Sequence, residues 1–143
     1  MEFYSECTSA TENFAYEIAG KLTGGEIITL DGDLGAGKTA FVRGLAKGLG
    51  AKETVSSPTF TIVNEYRSGR LPLFHFDVYR IDSSDEMYDI GWDDYLNQGA
   101  VIVIEWSTII NDILPDNCIR INITKDYSKS EDYRFITVEG AGY

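Results

Sequence analysis

The chain has 143 residues with 12 basic and 23 acidic side chains, a formal net charge of −11. At roughly 150 residues per domain this is one domain with enough chain for one core. Its 43% hydrophobic and 13% aromatic content excludes an intrinsically disordered polymer. The longest apolar run, Ala100 to Ile104, is five residues, against about 20 for a membrane-spanning helix. Met1 to Glu6 has neither the basic start nor the apolar run of a secretory signal. Cys7 and Cys118 lie far apart without CxxC spacing and read as free thiols of a cytoplasmic protein. A strongly acidic surface repels phosphate backbones and argues against direct nucleic-acid binding. The acids Asp82, Asp85, Glu86, Asp89, Asp93 and Asp94 form either a solvated face or a docking face for a basic partner.

Along the chain, Ser9 followed by Glu12 is a capping-box pattern, and Phe14, Ile18, Ala19 and Leu22 recur at helical spacing up to Gly24-Gly25. Glu26 to Leu30 predicts a buried strand. A loop from Asp31 to Gly37 leads into a second helix with Phe41, Val42, Leu45 and Leu49 along one face, closed by Gly50. Thr59 to Tyr66 and Leu71 to Tyr79 predict an antiparallel hairpin around residues 67–70. An acidic helix is predicted from Ser84 to Leu96, a fully buried strand over Val101 to Ile104, and a short helix from Ser107 to Leu114. Ile119 to Ile123 and Phe135 to Val138 predict a closing hairpin. Together these give an α/β sandwich with a mixed, centrally parallel β-sheet.

Gly32-Asp33-Leu34-Gly35-Ala36-Gly37-Lys38-Thr39 satisfies G-x-x-x-x-G-K-[ST] between a predicted strand and a predicted helix. Three glycines permit the positive-φ turns that aim successive N–H groups inward, and the helix start adds its unpaired N–H groups. In such a loop Lys38 neutralises the β- and γ-phosphates of a nucleotide and the Thr39 hydroxyl holds Mg²⁺. A second metal contact is expected at the end of a buried strand. Glu105 ends the Val101–Ile104 run, and Asp77 sits in the mostly apolar Phe74–Tyr79 stretch, where a bare carboxylate is unfavourable without a cation. Each is a candidate metal or catalytic acid, or else a strand-end residue in a structural ion pair. By period-two alternation His75, Asp77 and Tyr79 share one strand face, so the only histidine either orients Asp77 or is a satisfied core group. Ser56-Ser57-Pro58-Thr59 is either a switch loop over the γ-phosphate or an ordinary turn, and Trp106 is either core or a neighbour of the nucleotide.

In order along the chain, the phosphate loop, Ser57-Pro58-Thr59-Phe60-Thr61, His75-Phe76-Asp77-Val78-Tyr79-Arg80 and Ile104-Glu105-Trp106-Ser107 resemble the TsaE (YjeE) family over roughly residues 9–139. These are small bacterial P-loop ATPases required for N6-threonylcarbamoyladenosine formation in tRNAs reading ANN codons, so the resemblance implies that the α/β fold is a P-loop NTPase-like three-layer sandwich with a mixed, centrally parallel β-sheet. The resemblance implies an ATP- and magnesium-dependent hydrolase with weak intrinsic turnover, acting with the partner proteins TsaD and TsaB and meeting tRNA only through that complex, with no membrane contact. It implies ATP contacts from Asp33, Leu34, Gly35, Ala36, Gly37, Lys38, Thr39 and Ala40 and from Trp106 and Arg134. It also implies Thr39, Asp77 and Glu105 as magnesium-site residues, with Lys38, Asp77 and Glu105 carrying catalysis. Ala40 departs from the family, which commonly has a second hydroxyl there, and Trp92 replaces a smaller aliphatic residue.

Two rival readings use the same loop. A small-molecule P-loop kinase expects an arginine-rich lid, whereas Arg43, Arg67, Arg70, Arg80, Arg120 and Arg134 are scattered. A nucleotide-gated binding module expects no useful hydrolysis, which a Glu105 substitution tests.

Overall fold

The computed structural model describes residues 1–33, 35–140 and 142–143. One seven-stranded sheet runs through it in the order β1-β7-β6-β2-β5-β4-β3. The strands are β1 (Glu2–Ser5), β2 (Ile27–Asp31), β3 (Val63–Tyr66), β4 (Leu73–Asp77), β5 (Val101–Glu105), β6 (Ile119–Lys125) and β7 (Arg134–Glu139). The centre is parallel, β6 and β5 both pairing with β2 and β4 with β5, while β7, β1 and β3 are antiparallel additions at the edges. The parallel strands β2, β4 and β5 read as continuous apolar runs because both their faces are covered.

Helices α1 (Thr8–Ala19) and α2 (Lys38–Gly48) cover one face, and the short helices α3 (Asp85–Asp89) and α4 (Trp92–Leu96), with a 3-10 segment at Ser107–Ile113, cover part of the other. The first layer packs Phe14, Ile18, Phe41, Val42 and Leu45 onto Ile28, Leu30 and Val103. In the second, Trp92 stands edge-on to Phe76 at 5.5 Å and Tyr95 edge-on to Phe74 and Phe76 at 5.0 and 5.2 Å. Trp92 is therefore a core residue, and the six acids from Asp82 to Asp94 all face solvent.

Several boundaries differ from the sequence expectation, each for a local reason. Helix α1 is capped at Cys7 without a side-chain bond, so the Ser9–Glu12 capping box is not formed. Glu12 instead pairs with Arg43 of α2 at 2.5 Å, and the Ser5 hydroxyl bonds the Cys7 carbonyl and the Thr11 hydroxyl at 2.8 and 2.7 Å. The helix ends at Gly20, ahead of Gly24-Gly25. The expected helix from Ser84 to Leu96 is two helices, because Gly91 adopts φ +94° between them. The hairpin β3–β4 begins later than expected, pairing Val63 with Phe76 and Tyr66 with Leu73 around a longer loop. Strand β1, four residues paired with β7 from Glu2↔Thr137 to Ser5↔Arg134, has no counterpart in the sequence reading.

Helices α1 and α2 cross closely because Gly44 and Gly48 present no side chain. A Cβ on Gly44 would run into the Glu12 carbonyl and the Ala15 Cβ. Gly44→Ala gains about 1 kcal/mol in helix propensity, yet the clash is with backbone. The net result expected is a loss of about 1–3 kcal/mol, read as a lower denaturant midpoint with unchanged slope.

The far end of α2 is tied to the β3–β4 loop through Glu53. Its carboxylate accepts from the Ser68 hydroxyl, from the Arg67 amide at 2.8 Å and from the Ser68 amide at 3.3 Å. These bonds, the Ser68 hydroxyl first, hold its pKa at about 2 against an ordinary 4.5. A depressed folded-state pKa means this contribution is complete above about pH 4.5 and fades as the pH falls toward 2. Glu53→Gln is expected to flatten the fall of the thermal midpoint in that window and to leave its pH dependence above 5 unchanged.

Candidate functional site

Strand β2 delivers the chain to the loop at residues 32–37, and α2 leaves it at Lys38. Gly32, Gly35 and Gly37 have φ of +155°, +78° and +102°. A Cβ on Gly32 would collide with the Ile123 carbonyl, so close approach as well as φ requires glycine there. The start of α2 is unusual for stability. Its N-cap is Gly37, which provides no side-chain bond, and its first turn holds no acid. It carries instead the cation Lys38 at the positive end of the helix dipole, only 7% exposed. Unpaired N–H groups and a buried ammonium together favour an anion over a conventional cap.

Lys38 Nζ donates to the Gly32 carbonyl at 2.7 Å, lies 3.6 Å from Glu105 Oε1 and sits 4.4 Å from the centre of the Trp106 ring. Glu105 ends β5 and Asp77 ends β4, paired in register on the same face, and both carboxylates are buried. Asp77 Oδ1 accepts the Tyr79 amide at 3.0 Å. Two adjacent buried acids with one ammonium nearby are short of positive charge. Among the described residues no cluster of three or more His, Cys, Asp or Glu side chains is placed to hold a metal alone. Two acids beside a phosphate loop instead fit Mg²⁺, which takes one or two carboxylates and completes its shell with phosphate oxygens and water.

The sequence-predicted residues fall into three groups. Lys38, Glu105, Trp106 and Asp77 come together around the loop. Asp33 and Gly35 are exposed on it, Thr39 is half-buried in the first turn of α2, and Ala36 and Ala40 are buried beneath. Leu34 lies outside the described residues. Arg134 makes its contacts with the loop itself, Nε donating to the Ala36 carbonyl at 2.8 Å and Nη2 to the Gly35 carbonyl at 3.3 Å. Its Nη1 is engaged by the Glu131 and Tyr133 carbonyls at 2.6 and 2.8 Å, so it braces the loop from the sheet edge.

Two expectations about β4 are corrected. His75 does not bond Asp77; its Nε2 meets Glu105 Oε2 at 2.5 Å, across to the neighbouring strand. Tyr79 does not share the strand face, because β4 ends at Asp77, and its ring is 65% exposed against Trp106 at 5.0 Å.

Trp106 stands between two hollows. One, of about 490 Å³, runs from Lys38 past Asp31 to Thr108, Asn122 and Thr124. The other, of about 300 Å³, is lined by Thr59, Asp77, Tyr79, Arg80 and Trp106. Asp31, Asn122 and Thr124 were not singled out in the sequence, since nothing local distinguishes a polar strand position that lines a hollow from one that faces open solvent. Burial pushes the Asp31 carboxyl above its ordinary range, against the opposing charge of Lys38. Ile62 and Trp106 are the two non-glycine residues with positive φ among those described, +68° and +61°. Both border this region, Ile62 through its carbonyl, which accepts the Asp77 amide at 2.8 Å. Strained backbone of this kind concentrates at functional sites.

A family profile described as threonylcarbamoyl adenosine biosynthesis protein TsaE matches residues 5–134. The chain belongs to the TsaE family. The matched segment holds the whole TsaE-like constellation from the phosphate loop to Glu105 and Trp106, and it ends on Arg134. The tRNA threonylcarbamoyladenosine biosynthesis protein TsaE of Bacillus subtilis is 46% identical over 118 residues, 82% of this chain and 72% of the relative. That of Treponema pallidum is 39% identical over 123 residues, 86% and 90%. The crystal structure of Bacillus subtilis YdiB superposes with a TM-score of 0.82 at 36% identity, covering 98% of this chain and 84% of that one. The α/β fold class expected from the sequence is thus the fold of that solved relative. No helix among the described residues is long and apolar enough to cross a membrane.

Proposed function

We propose that this chain binds and hydrolyses ATP with Mg²⁺ and that the cycle serves formation of threonylcarbamoyladenosine in tRNA, in the cytoplasm, with TsaD and TsaB as protein partners. The observation that carries the reading is the uncapped start of α2, where Lys38 faces Glu105 beside Asp77. Membership of a family named for that biosynthesis supports the pathway.

In this mechanism the loop N–H groups bind the phosphates, and Lys38 leaves the Gly32 carbonyl to neutralise charge developing on the β- and γ-oxygens. Thr39, Asp77 and Glu105 would hold magnesium together with the phosphates, and the bound ion would supply further neutralisation. Glu105 accepts a hydrogen bond from the attacking water and orients it in line. Arg134 keeps the loop carbonyls turned away from the phosphates. Arg80 lies over the Phe60 ring, 4.7 Å from its centre, and Arg134 is held by the Gly35 and Ala36 carbonyls, so each is already engaged by the protein itself. Isolated turnover is therefore slow until a partner orders residues 56–59 or supplies a charge. The arginine-rich lid of a small-molecule kinase has no counterpart among the described residues. Arg43, Arg67 and Arg70 are engaged by Glu12, by Glu65 and by the Ala19 and Leu22 carbonyls.

The test is reconstitution of tRNA modification with TsaD and TsaB under multiple-turnover conditions. Turnover is expected to stop without this chain and with Lys38→Ala in its place. Full turnover without the chain would reject the assignment.

A further inference from the structure

His75 is fully buried on the α2 side of β4, and its Nε2 lies 2.5 Å from Glu105 Oε2. Its other ring nitrogen, Nδ1, has no partner among the described residues. The register explains the reach: His75 pairs with Val103, and Glu105, one pair further along the same face, leans back toward it. An imidazole bonded on one side only is a poor way to fill this space. Its neighbours in the layer, Leu73 and Val103, are aliphatic, and an aliphatic side chain would leave no buried polar atom unpaired. Packing does not account for a histidine here; its one bond does.

With no acceptor facing Nδ1, the ring proton belongs on Nε2 and is given to Glu105. That bond pins one carboxylate oxygen and leaves the other, Oε1, turned toward Lys38 at 3.6 Å. We propose that His75 is a positioning residue for Glu105, holding it as the Nε2-protonated tautomer so that Oε1 faces the phosphate loop. The inference rests on the hydrolytic reading above and adds to it the group that orients its acid. The arrangement follows the general pattern in which an outer residue fixes the rotamer of a ligating or water-orienting carboxylate.

His75 is the only histidine in the chain, so a ¹⁵N-histidine-labelled sample gives one imidazole spin system without assignment. In the nucleotide-free protein the long-range ¹H–¹⁵N spectrum is expected to show a protonated Nε2 and a bare Nδ1. Glu105→Ala is expected to abolish the protected Nε2 proton. A proton on Nδ1, or an Nε2 signal indifferent to Glu105→Ala, would overturn the proposal.

In kinetics, His75→Gln keeps an N–H donor at the Nε2 position and His75→Leu does not. His75→Leu is expected to lower kcat by about 10–100-fold with the KM for ATP little changed, and His75→Gln to recover most of the loss. Equal losses in both variants, tracking their thermal midpoints, would make His75 merely structural and overturn its positioning role. If the native chain hydrolyses no ATP, the functional reading falls, while the imidazole spectrum still decides whether His75 holds Glu105.

Discussion

Lys38→Ala is expected to weaken ATP binding and hydrolysis by about 10²–10³-fold, the scale of removing one preorganised charge donor from a phosphoryl site. In the native protein the ammonium is already buried at the loop, donating to the Gly32 carbonyl and facing Glu105. It needs only to turn to reach a phosphate. Thermal stabilisation by ligand measures the binding directly. At a nucleotide concentration of 100 Kd the native chain gains about 2.7 kcal/mol, and a variant with hundredfold weaker affinity gains about 0.4 kcal/mol at the same concentration. A variant stabilised by ATP as strongly as the native chain would show that the phosphates sit elsewhere.

Glu105→Gln should separate hydrolysis from binding. The amide keeps the shape and can still accept from His75, but it loses the charge that orients water, so kcat is expected to fall about 10²–10⁴-fold. The nucleotide-induced rise in thermal midpoint should survive, because the loop N–H groups and the Lys38 ammonium remain to meet the phosphates even with the Lys38–Glu105 ion pair lost. If tRNA modification continues undiminished with this variant, hydrolysis is dispensable and the chain is a nucleotide-gated module. Loss of both hydrolysis and modification, with binding kept, is the outcome expected here.

These two side chains were legible in the sequence because their signals are local. Lys38 sits in a loop pattern whose glycines are needed for both φ and close approach, and Glu105 ends a run of apolar residues in one continuous strand. The strand pattern likewise carried the core of the sheet. What was not legible depends on which distant segments meet. Bonding of His75 to Glu105 requires the parallel register of β4 on β5, and alternation along β4 alone suggested Asp77 as its partner. Arg134 reaches carbonyls at Gly35 and Ala36 only because β7 returns beside the loop. At α1 the capping signal was present but overridden, since Arg43 on the neighbouring helix claims Glu12. Strand β1 is short and gains its place by pairing with β7, for which four residues offer no periodicity.

The most direct measurement is a crystal structure with a non-hydrolysable ATP analogue and Mg²⁺. Expected are a triphosphate wrapped by residues 35–39, Lys38 Nζ moved from the Gly32 carbonyl onto phosphate oxygens, and the cation between the phosphates, Thr39 and the two strand-end acids. A loop left empty at saturating analogue, or a cation bound away from Asp77 and Glu105, would contradict it.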